Sequence, residues 1–227
     1  MDGNDNRAPL APLMIYIAVF LLVWSLRATL FIGIDEGIES ATWKQLYSNA
    51  VKFVLWVVPA LIALRVWHLA PLKYLKLTTR INGRGLIAAA VVVAAWLGVV
   101  LIGEAALSGR SAATILFQKS AEWPSIMGGV AVSPVWEEIL FRGFILNRLN
   151  ESLSFWKSNV ISALVFMLTH VPYWVSKNGF SGPVIRDLAN VFLLGCLFGW
   201  VMKRTNSLWP AIGAHIANNF LSSLIHA

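Results

Sequence analysis

With 227 residues, 58% of them hydrophobic and only 13% charged, and a mean hydropathy of +0.69, the chain is too apolar for a water-soluble domain of its size. Its formal charge of +7 comes from lysines and arginines spread through short loops without a nucleic-acid motif, so it argues against a nucleic-acid partner and for membrane topology. A single cysteine, Cys196, excludes intrachain disulfides and argues against a thiolate metal cage, while eleven tryptophans suit the two interfaces of a bilayer.

The polar stretch Met1 to Pro9 lacks the basic start of a secretory signal. The apolar run from Pro12 to Gly33 is too long for one, so it reads as a retained first span with Arg27 snorkelling from its far end. A loop with Asp35, Glu36, Glu39 and Lys44 leads to a second span over 49–69, with Lys52 and Arg65 near its ends and Pro59 predicting a kink. After the basic loop of Lys73, Lys76, Arg80 and Arg84, residues 86–103 make a third span, helical by length rather than by periodicity. Glu122-Trp-Pro124 reads as a helix start and opens a fourth span over 123–149, bent at Pro134, which leaves the Val130 carbonyl without its usual donor. Three more spans follow over 159–175, 184–202 and 208–225, with Gly195 and Gly199 marking close helix packing on the sixth.

The expected fold is therefore all-α: a polytopic transmembrane bundle of about seven spans, or eight if the segment from Ala112 to Phe117 re-enters the membrane. No internal repeat or linker divides the chain, so 1–227 reads as one domain, with N-terminal spans over 1–122 and the chemistry over 123–225. Arg7, the Lys73 to Arg84 cluster, Arg148, Lys157, Lys203 and Arg204 fall on one side of the bilayer. Lys44, Arg110, Lys119, Lys177 and Arg186 fall on the other. The richer side marks the cytoplasm, which puts the N-terminus inside, and a bacterial cytoplasmic membrane is the expected location.

The fourth span carries Glu137, Glu138 and Arg142 inside an apolar run. A charge near the bilayer centre costs about 2.5–3.5 kcal/mol, so these side chains are expected to face protein or trapped water. Measured from their basic loops at about 1.5 Å per residue, Glu137, His170 and His215 all fall roughly 15–20 Å deep, in one layer. Glu138 and Arg142 are four residues apart and share a helix face, as do Phe166 and His170, and His215 and Asn219. The economical arrangement lets Arg142 neutralise Glu138 and leaves Glu137 free to act as a base on water, with a histidine across from it. His215 and Asn219 can both aim donors at one oxygen, as a tetrahedral oxyanion requires.

These residues also carry a family likeness. Glu137-Glu138-Ile-Leu-Phe-Arg142-Gly143, Phe166-Met-Leu-Thr-His170 and His215-Ile-Ala-Asn-Asn219 resemble the EExxxR(G), FxxxH and HxxxN motifs of the CPBP family, in the family's order. That family takes in the CAAX prenyl endopeptidases and bacterial bacteriocin-processing and self-immunity proteins, viewed as glutamic intramembrane proteases. The resemblance covers Trp123 to Ile225 and implies that Glu137 and His170 activate water, His215 and Asn219 form the oxyanion site, and Glu138 with Arg142 supports them. It further implies a membrane-associated or lipid-anchored peptide as substrate. No cofactor is expected, because the pairing of His215 with Asn219 suits oxyanion donors better than metal ligands.

Taken singly, each motif has a plainer explanation: an ion pair locking two helices, or a polar side chain bridging them. Two histidines and a glutamate can also ligate zinc, which makes a zinc protease the mechanistic alternative. From another class stands a non-catalytic immunity or scaffold protein; a transporter lacks support because no pair of related halves is visible. Trp43, Trp67, Trp123, Trp174 and Trp209 read as interfacial anchors, and Asp187 and Asn190 as capping or packing residues, with the lining of an access path as the alternative. Thr169, Asn218 and His226 receive no role.

Overall fold

The computed structural model describes residues 9–111 and 126–225. The helix start at Glu122 to Pro124, the re-entrant segment from Ala112 to Phe117, the anchor Trp123 and His226 lie outside the described residues. Among the described residues the chain is helical without strands. We number its long helices α1 (Ala11–Leu30), α2 (Ala41–Val66), α3 (Gly83–Ser108), α4 (126–150), α5 (Phe155–Asn178), α6 (Gly182–Thr205) and α7 (Trp209–Ile225). By length and apolarity α1, α2, α3, α5 and α6 each suffice to cross a bilayer, and the protein is an integral membrane protein. The other two expected spans are helical as well, but α4 carries Glu137, Glu138, Arg142 and Arg148, and α7 has seventeen residues.

The central element is α4, in which every residue from Glu137 to Leu146 is buried. Around it Phe20, Trp56, Phe141, Phe144 and Phe166 interlock, largely edge to face: Phe20 on Trp56 at 5.6 Å, Trp56 on Phe141 at 5.5 Å, Phe141 on Phe166 at 5.0 Å. At the periphery, α3 buries only Gly85 and Ala89; a helix of Ala, Val and Leu on all sides is what lipid contact permits. The expected close packing on α6 is present against α5. A Cβ on Gly195 would stand 2.8 Å from that of Ala163, and one on Gly199 would overlap the Asn159 side chain.

The prolines act through helix type. A π-helical turn, Phe53–Val57, precedes Pro59 in α2, and another, Ile126–Val132, precedes Pro134 in α4. Proline lacks the N–H of a regular turn and its ring crowds the preceding one, and a wider turn accommodates both. In α5, Pro172 coincides with a full interruption: Phe155–Leu168 ends, Thr169 and His170 form a turn, and Val171–Asn178 resumes. The carbonyl of Thr169 accepts the indole N–H of Trp24 from α1, at 2.9 Å.

Two sequence expectations need correction here. Arg27 does not reach for solvent but forms a mostly buried ion pair with Asp35 of the short helix Ile32–Glu36. The second span begins at Ala41, capped by Ser40, rather than near Asn49. Lys52 therefore sits inside α2 and not at its end. The polar residues of its first two turns disguise them as loop.

Candidate active site

Helices α2 to α7 converge on a cleft of about 470 Å³, α3 through Trp96 and Val100. Glu137 reaches it from α4, His170 from the break in α5, and His215 and Asn219 from α7. All four residues singled out for catalysis thus line one cavity. Glu137 Oε2 approaches His215 Nε2 to 3.7 Å. Among the described residues no hydrogen bond joins Glu137 to His170; the two face each other only through the shared space.

The adjacent glutamates have separate partners. Glu138 is fully buried and its Oε1 accepts from Arg142 Nη1 and from His215 Nδ1, each at 2.8 Å. The arginine is buried too, its guanidinium 4.5 Å from the Phe166 ring and 5.3 Å from that of Phe198. Phe166 meets both imidazoles edge to face, His170 at 5.0 Å and His215 at 5.8 Å, and Phe198 stacks on His215 at 4.7 Å. One carboxylate and two phenyl rings thus fix the His215 ring on three sides.

Glu137 is not the free carboxylate that the sequence suggested. Its Oε1 accepts from Lys52 Nζ at 2.6 Å and from Ser133 Oγ at 2.8 Å, and the lysine also touches Ser133 Oγ at 2.5 Å. An ammonium inside an apolar helix needs an anion beside it, and Glu137 supplies one. Only Oε2 is left to the cleft.

Hydrogen-bond partners fix the tautomers of the histidines. Nδ1 of His170 lies 3.1 Å from the Phe166 carbonyl, an acceptor only, so Nδ1 carries the proton and Nε2 of the neutral ring presents a lone pair. His215 Nδ1 faces the Glu138 carboxylate and is protonated for the same reason. Its Nε2 therefore donates to an oxyanion only when the ring holds a second proton, which adds a condition to the simple two-donor arrangement. Asn219 Oδ1 accepts from Asn218 Nδ2 at 3.4 Å, leaving the Asn219 amide NH₂ as a donor. Among the described residues no three His, Cys, Asp or Glu side chains are grouped so as to hold a metal ion.

Comparison with known proteins adds the family. Residues 119–221 match the family model described as type II CAAX prenyl endopeptidase Rce1-like, and these include all seven motif residues from Glu137 to Asn219. Over this segment the chain is similar to the CAAX protease family. The "Putative membrane peptidase YdiL" of Bacillus subtilis (strain 168) is 30% identical over 88 residues, which is 39% of this chain and 31% of that protein. The chain thus aligns with about a third of the curated relative's length. No solved structure matches.

Several cleft residues escaped the reading of the CPBP motifs. Lys52 belongs to α2, outside the matched segment, and Ser133 lies one turn before Glu137, where its small hydroxyl gave no signal. Trp174, expected as an interfacial anchor, instead lines the cleft with its ring 5.1 Å from that of His170. The reason is the interruption at Thr169, which turns the last two turns of α5 about the histidine. Asp187, Asn190 and Asn218 also face the cavity, where packing or no role was expected.

Proposed function

We propose that this protein is a metal-independent, glutamic-type intramembrane endopeptidase that cleaves a membrane-associated or lipid-anchored peptide, as CAAX-type proteases do. The observation that carries the reading is the convergence of Glu137, His170, His215 and Asn219 from three helices on one cavity, with a carboxylate oxygen of Glu137 left unengaged. A water held between Glu137 Oε2 and His170 Nε2 attacks the scissile carbonyl carbon while one of its protons passes to Glu137. Lys52 and Ser133 hold the other carboxylate oxygen, so the acid has one orientation. The oxyanion formed by attack accepts from Asn219 Nδ2 and from Nε2 of a doubly protonated His215, whose positive charge the Glu138 carboxylate balances. Collapse breaks the C–N bond and the proton on Glu137 goes to the departing amine.

The test is cleavage of a lipidated peptide by purified protein in lipid, beside Glu137→Gln and His170→Ala. Product peptides from wild type alone, identified by mass spectrometry, support the reading. Equal product from the variants, or a cellular phenotype that both variants preserve, sinks it in favour of a non-catalytic scaffold. Stoichiometric zinc and chelator-sensitive turnover would replace the metal-free scheme by a zinc one.

A further inference from the structure

A second cavity, about 590 Å³, shares no lining residue with the cleft. It lies where the first turn of α3 meets the last turn of α6 beside the start of α5. Asn82 ties the two ends together: its N–H donates to the Thr205 carbonyl at 2.9 Å and its side-chain amide to that of Arg204 at 3.4 Å. Gly85 permits the approach, because a Cβ there would overlap the Arg204 carbonyl. The contact collects Arg84, Lys203 and Arg204 around one opening walled by Trp156 and Trp200.

No carboxylate lines this pocket, and among the described residues none of the three cations forms an ion pair. Two of them rest on aromatic rings instead. Lys203 Nζ is 4.0 Å from the Phe155 centroid, and the Arg204 guanidinium is 5.3 Å from that of Trp200. The positive end of the α3 dipole adds to the field. Trp156 is 60% exposed, the placement of an indole at the headgroup level. Beyond the pocket, Ile87 and Val91 on α3 and Val160 and Leu164 on α5 are exposed, an apolar continuation that suits acyl chains.

We infer that this pocket is a site for the phosphate of an anionic phospholipid, held by Arg84, Lys203 and Arg204 with its acyl chains along α3 and α5. The charge calls for an anion, and the exposed apolar surfaces select a lipid over free phosphate. The site stands on basic loops of the kind that face a negatively charged leaflet.

The experiment is native mass spectrometry of the full chain released from phosphatidylcholine nanodiscs with and without phosphatidylglycerol, followed by titration of short-chain phosphatidylglycerol in detergent. Wild type should retain phosphatidylglycerol in preference to phosphatidylcholine. Arg84→Gln/Lys203→Gln/Arg204→Gln should lose at least about tenfold in apparent affinity. A charge-matched control, Lys73→Gln/Arg80→Gln/Lys157→Gln, should keep the preference, as should Arg84→Lys/Arg204→Lys. If the triple pocket variant does not purify with native helicity, Arg84→Gln and Lys203→Gln alone should each show a smaller loss. Equal retention of the two lipids, an equal loss in pocket and control variants, or displacement of the lipid by millimolar inorganic phosphate would overturn the assignment.

Discussion

The two halves of the molecule are built to different rules. Helices α1 to α3 present long apolar faces outward, with α3 burying only two small residues, whereas α4 is buried along ten consecutive positions and carries most of the ionisable groups of the core. Yet the first half is not mere lipid-facing wall. It contributes Lys52, the cation against Glu137, and Trp24, which takes up the carbonyl freed beside His170. The motif-bearing half holds the groups proposed to react, and the other half sets the charge and the backbone around them.

If that division is right, substitutions in the motif half should remove turnover and those in the first half should act on stability. The largest effect is expected from Glu137→Gln, a fall in kcat of at least about 10⁴-fold in a purified cleavage assay normalised to folded protein, since the substitution also leaves Lys52 without its anion. Glu138→Gln should follow at about 10³–10⁴-fold, because an amide can present the wrong group to His215 Nδ1 and release its tautomer; KM should hold, and Glu138→Asp should recover part of the rate. Asn219→Ala removes one oxyanion donor and should lower kcat by about 10²–10³-fold.

In the first half, Lys52→Met leaves Glu137 buried without its cation and should destabilise the protein by about 3–5 kcal/mol, read as a lower unfolding midpoint in detergent. Adding Glu137→Gln to Lys52→Met should restore much of that midpoint. A lack of coupling between the two substitutions would break the contrast drawn here.

The smallest effect concerns the contact between the segment after α2 and the end of α4. Tyr74 donates to Glu151, and burial together with that hydrogen bond pushes its phenol well above the ordinary value of 10.0. A raised pKa in the folded state means that the contribution is complete below the ordinary value and is lost as pH rises beyond it. Wild type should therefore lose thermal stability above about pH 10, and Tyr74→Phe should flatten that alkaline decline.

The parts of the site that were legible in the sequence were those that hydrocarbon makes conspicuous. Glu137, Glu138, Arg142, His170, His215 and Asn219 stand out because polar side chains inside apolar runs need partners, and the i,i+4 spacing paired Arg142 with Glu138 before any coordinates. What was hidden depended on helix ends and rotations. Lys52 read as a residue near the end of a span because the amphipathic turns from Ala41 to Ser48 look like loop, so the helix boundary fell eight residues late. That His215 turns Nδ1 toward Glu138 is set by how α7 is rotated against α4, which no spacing within one helix encodes. Trp174 was misassigned for a related reason: a tryptophan near a span end suits both a headgroup and a cavity wall, and the break at Thr169 decides between them.

Lys52 also bears on how far the proposed catalytic unit is portable. A transplant of residues 126–225 into another scaffold would carry the acid, both imidazoles and the amide but strand Glu137 without its counter-ion. Any host would have to present an ammonium at the same height and azimuth. The proposed catalytic unit is thus larger than the stretch that matches the family model.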